Sequence, residues 1–135
     1  MLPRMPSYVI MSALSAIVPG AILTRALDED DDGEADFTAF GRVAADAQSE
    51  IDGVLRERFP VPFSNPIPRA VADSALALAA EKVFAMASVP AKENPFAQRA
   101  AEARALLALI AKGEKPITAK LPDAPATKPS KAAKS

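Results

Sequence analysis

Between residues 37 and 63 the apolar positions recur with the period of a helix. Phe40, Val43, Ala44, Ala47, Ile51, Val54 and Leu55 follow one another at spacings of three and four, which places them on one helical face. Arg42, Asp46, Ser49, Asp52, Arg56 and Glu57 fall on the opposite face. The pattern predicts one long amphipathic helix that runs into a Pro-rich extended strap. Pro60 and Pro62 supply the stop, because neither donates a backbone hydrogen bond and each pushes the preceding residue out of the helical region. Phe59 and Phe63 flank the break. Gly41 and Gly53 lie inside the helix and cost about 1 kcal/mol each relative to alanine. Close approach of another backbone, from a neighbouring helix or another subunit, is the expected reason.

The same reading gives four more helices. Residues 11–18 form a short amphipathic helix with Ser12 and Ser15 on its polar side. A secretory leader is the rival reading of this apolar run, since Arg4 precedes it and Pro19-Gly20-Ala21 follows. Pro19 opens a second short helix over 21–27, and the pair makes a helical corner capping one end of a bundle. Pro68 opens a fourth helix to about residue 88, with Val71, Ala75, Leu78, Ala79, Val83, Phe84 and Met86 on its apolar side. Asn94 and Pro95 read as a helix start, followed by the stripe Phe96, Ala100, Ala103, Leu106, Leu107 and Ile110. Gly113 is the stop. The expectation is an all-α bundle of about five helices with one long central helix, a Pro-rich strap, and a helical domain over 1–114. Residues 115–135 carry spaced prolines and lysines with no apolar period, and are expected to be a flexible arm. The apolar runs are too short to span a membrane.

Composition narrows the chemistry. Hydrophobic residues make up 50% of the 135 positions and aromatics only 5%, so alanine dominates and close helix packing is favoured over a large aromatic core. There is no cysteine and no histidine, which excludes disulfides and thiolate metal sites and removes the commonest general base. No phosphate-binding loop or nucleophile elbow occurs, and an enzyme is not expected. The net charge of −1 hides an asymmetry: five lysines against one aspartate occupy 115–135, on an otherwise acidic body.

Two stretches are candidates for function. Residues 28–36, DEDDDGEAD, place Asp28, Asp30, Asp32, Gly33 and Asp36 in the D-x-D-x-D-G spacing of a calcium loop. Position twelve, where a bidentate glutamate belongs, is Ala39. The cluster is therefore either a weak calcium site through Asp28, Asp30, Asp32 and Asp36, or a solvated acidic turn with Asp36 capping the long helix. The second stretch, Arg56, Arg58, Phe59, Pro60, Pro62 and Phe63, is a candidate partner-binding surface, with arginines and aromatics beside a rigid strap. Its plain alternative is basic residues complementing a helix dipole. Asp46 and Glu50 are neighbours on an exposed face and make no catalytic dyad.

Taken in order, Tyr8, Leu14, the turn Asp28, Asp30, Asp32, Gly33, and then Ala47, Glu50, Ile51, Asp52, Leu55, Arg58, Phe59, Pro60 and Pro62 resemble the small all-α head–tail connector, or neck adaptor, proteins of Mu-like phages and prophages. The resemblance covers about residues 8–112 and is most specific over 50–62. The family often shows Thr-Pro-Glu-Asp where this chain has Ile10-Met11-Ser12-Ala13, and Tyr where it has Phe59. The resemblance implies a structural virion protein that forms a homo-oligomeric ring, a dodecamer, beneath the portal protein. The ring would extend the DNA channel without reading sequence and would offer a surface to a tail-proximal neck or stopper protein. It implies a location at the virion neck after synthesis in the host cytoplasm. A ring needs complementary head-to-tail faces, and the acidic 28–36 loop with Arg56 and Arg58, or with the basic arm, is a candidate pair. A small calcium-binding module, a secreted helical protein and a DNA-associated protein using the lysine arm are the rival readings.

Overall fold

The computed structural model describes residues 8–28, 30–33, 35–64, 66–119 and 121. The described residues form five α-helices, α1 (Met11–Ile17), α2 (Gly20–Leu27), α3 (Phe37–Leu55), α4 (Arg69–Met86) and α5 (Ala97–Ala111), with a 3-10 turn at Ala91–Glu93. No strand occurs among them, and the fold is all-α. No described helix is long and apolar enough to cross a membrane.

The packing centre is α4, which touches each of the other four helices. Ala70, Val71, Ala75, Ala77, Leu78, Ala79, Ala80, Val83 and Phe84 are all buried, so most of the circumference of this helix is covered, and only a narrow stripe with Arg69, Asp73 and Lys82 reaches water. Its alanines let neighbouring helices approach from several directions at once. Met86, expected on its apolar side, is 42% exposed at the end of the helix.

The longest helix, α3, buries one face through Phe40, Val43, Ala44, Ala47, Ile51 and Leu55. Val54 lies outside that face and is exposed. The helix also ends sooner than the prolines require. The N–H groups of Arg58 and Phe59 both reach the Leu55 carbonyl, at 3.0 and 2.9 Å, and this turn ends the helix before Pro60. It returns Phe59, Val61 and Phe63 to the edge of the core. A Cβ added at Gly41 or Gly53 would meet nothing within 4 Å, so neither glycine is needed for packing inside this chain.

Helix ends explain the remaining boundaries. α4 and α5 both close with a left-handed residue and the paired hydrogen bonds of a Schellman motif. At α5 these are Gly113 N to the Ile110 carbonyl (3.0 Å) and Glu114 N to the Leu109 carbonyl (2.8 Å), with Gly113 at φ +82°. At α4, Ser88 takes the same place at φ +69°. Asn94 does not sit directly before α5 as the sequence suggests. Its Oδ1 accepts the Phe96 N–H at 2.9 Å and its Nδ2 donates to the Glu81 carbonyl at 3.0 Å, so it fastens the entry turn onto α4. Beyond α5, Ile117 and Ala119 pack against the core and Leu121 is 2% exposed. The first residues assigned to the arm therefore lie on the bundle. The rest of the arm, and the charged start of the leader-like run, fall outside the described residues.

Candidate functional site

The two stretches singled out in the sequence sit at opposite ends of α3. The N-terminal end carries the acidic turn. The Asp36 N–H donates to the Leu27 carbonyl at 2.8 Å and closes the loop at its neck. Asp28 organises the interior: its carboxylate accepts the N–H of Asp32 at 3.0 Å and of Gly33 at 2.8 Å. Asp30 also accepts the Asp32 N–H, at 3.3 Å. The tight path needs left-handed backbone at Asp31 (φ +61°) and Gly33 (φ +85°). Asp36 occupies the N-cap position but makes no side-chain cap bond.

Carboxylate oxygens of Asp28, Asp30, Asp32 and Asp36 can all lie within 4.8 Å of one another. Their acidities separate. Partial loss of hydration raises the Asp28 pKa, but the Gly33 and Asp32 N–H groups outweigh it and leave it below the ordinary carboxylate range. Asp30 moves up, through loss of hydration and then the charges of Asp32 and Asp36. Asp28 thus holds the turn together, while Asp30 bears the repulsion. Ala39, in the place of the twelfth ligand, is buried in the core.

The C-terminal end of α3 is built around Tyr8. Its hydroxyl donates to Asp52 Oδ1 at 2.7 Å and accepts the Phe63 N–H at 2.8 Å. Its ring lies 6.2 Å from that of Phe63, which is 6.0 Å from Phe59. One side chain thus ties the N-terminal segment, α3 and the strap together. Burial raises the Tyr8 pKa, the Phe63 N–H opposes this, and Asp52 adds to it. The phenol therefore keeps its proton and stays a donor. Sequence reasoning missed this knot because its members are 44 and 55 positions apart.

Around the knot, Phe59 and Phe63 are half-buried, while Pro60, Pro62, Arg56 and Arg58 are exposed. The Arg58 guanidinium lies across Gly113, where an added Cβ would come within 2.9 Å of Nη2. This brings the strap beside the end of α5. An open cavity of about 450 Å³ lies between them, lined by Arg58, Phe59, Gly113, Glu114, Lys115, Pro116 and Ile117.

A third feature had no sequence signal. Arg104 of α5 meets Glu50 of α3 at 2.7 Å and Glu81 of α4 at 3.1 Å. Glu50 first, then Glu81, hold the Arg104 pKa above its ordinary value against partial loss of hydration. Lys82 meets Asp46 at 3.5 Å. The two carboxylates considered for a dyad are thus each engaged by a cation of another helix.

The family model described as Bacteriophage Mu, Gp36 matches residues 8–135. No curated protein matches the chain.

Proposed function

The chain belongs to the bacteriophage Mu Gp36 family, and from that premise we infer that this Mu-like phage protein is a head–tail connector of the virion. In this reading it forms a ring, a dodecamer, beneath the portal. The ring joins the DNA-filled capsid to the tail, extends the channel through which DNA passes, and presents its far side to a neck or stopper protein. The protein does no catalysis and works at the virion neck.

The observation that carries this reading is the polarity of α3. Acidic groups gather at one end and exposed arginines beside a pinned strap at the other. The two ends are about 28 Å apart, from the rise of a 19-residue helix. A subunit with unlike, complementary ends suits head-to-tail assembly, which closes into a ring when the rotation permits. Electron microscopy of particles from a phage lacking the gene tests it. DNA-filled heads apart from complete tails are expected, and normal infectious particles would overturn the reading.

The convergence of four carboxylates supports a second reading, a divalent-cation site at the acidic turn. The buried Ala39 argues for weak binding. Calorimetric titration with calcium decides it: no uptake at millimolar concentrations disposes of the site.

A further inference from the structure

We propose that the cavity between the strap and the end of α5 receives the N-terminal end of α3 from a second copy of this chain, with Phe37 as the apolar plug. This deepens the connector reading and rests on it. Phe37 is 77% exposed, far more than any other large apolar side chain described. Nothing in its own subunit explains an aromatic ring in water at the first turn of α3. It directly follows the acidic turn, so plug and negative charge form one unit.

The cavity has the matching features. Phe59 and Ile117, both packed against the core, give it an apolar floor. Arg58 and Lys115 stand on its lining with one acidic residue, Glu114, between Gly113 and Lys115, and Arg56 and Lys112 are exposed beside Glu57 and Gly113 in the chain, so cations outnumber carboxylates there. None of these four cations makes an ion pair among the described residues. Its volume of about 450 Å³ exceeds that of a phenyl ring and leaves room for the flanking turn. The ion pairs elsewhere on the bundle do not compete, because Arg104 and Lys82 are already engaged. Plug and cavity lie at opposite ends of α3, so one subunit cannot satisfy itself. The contact is heterologous and passes from copy to copy. The aromatic would be the anchor and the exposed charges would steer the approach.

The chain has no cysteine, so an introduced pair reports the contact without interference. Thr38→Cys and Glu114→Cys, both at exposed positions, are placed in one chain and carried in intact phage particles under oxidation. A ladder of disulfide-linked oligomers is expected, and neither single variant should give one. Arg58→Glu with Lys115→Glu should lower infectious titre at least tenfold, and adding Asp30→Lys with Asp32→Lys should restore most of it. Phe37→Ala should lower titre with its melting temperature unchanged. The chain present in particles with no ladder, or with titre unmoved by these substitutions, would overturn the docking and leave the connector reading standing. A chain absent from the particles would overturn both.

Discussion

α3 and α4 are nearly the same length, 19 and 18 residues, yet they are held in opposite ways. α4 is buried on nearly every side by small residues. α3 buries one face and leaves the other to water, with two glycines that the fold does not use. The composition of α4 is explained by contacts within the chain. Only part of the outward side of α3 is: Asp46, Glu50 and Asp52 have partners in the chain, whereas Phe37, Gly41 and Gly53 do nothing for the fold. A helix with exposed residues that the fold does not use has room for a role in assembly, whereas a helix buried around most of its circumference serves the fold.

Substitutions of matched size widen or close this contrast. Ala79→Leu in α4, at a position with no exposure, should destabilise by about 1–3 kcal/mol through overpacking. Ala45→Leu on the exposed side of α3 should stay within about 0.5 kcal/mol. Thermal melts of the two variants would show it. The Tyr8 knot should be the costliest polar contact at the end of α3. Tyr8→Phe leaves the Phe63 N–H and one Asp52 oxygen without the hydroxyl, and should cost about 1–2 kcal/mol.

Tyr8 is the only tyrosine, so phenolate absorbance follows it alone. Its pKa lies above the ordinary 10.0 in the folded chain. The folded state therefore holds the proton more tightly than the unfolded state. The knot's contribution is complete below pH 10 and is lost as pH rises past it. A phenolate titration with its midpoint at the ordinary value would contradict the knot.

The contrast also marks what the residue order can reveal. α3 is legible because its apolar positions fall on one face, and the acidic turn because all its members lie within nine residues. The stripe of α4 is legible too, but its position at the centre is not. Alanine does not distinguish a face packed against a helix from one left in water. The Tyr8 knot and the Arg104–Glu50 pair join residues more than 40 positions apart, and no local period encodes them. Phe37 falls outside the apolar face read from the spacing, but nothing local shows that its ring stands in water.

The smaller effects test whether the outer residues of α3 are free to change. Gly41→Ala should stabilise the isolated chain by about 0.5–1 kcal/mol, because an added Cβ meets nothing. If another subunit packs there, titre falls while the melting temperature rises. Ser88→Gly, just beyond the end of α4, should gain a few tenths of a kcal/mol, about what relief of left-handed backbone gives after the entropic cost of glycine, and should not change titre.

A reconstruction of the head–tail joint in intact particles is the most direct measurement. The account predicts a closed ring of this chain, with α4 enclosed within each subunit and Phe37 of each copy seated between the strap and α5 of the next. A joint without this chain, or a ring in which both ends of α3 face solvent, would contradict it.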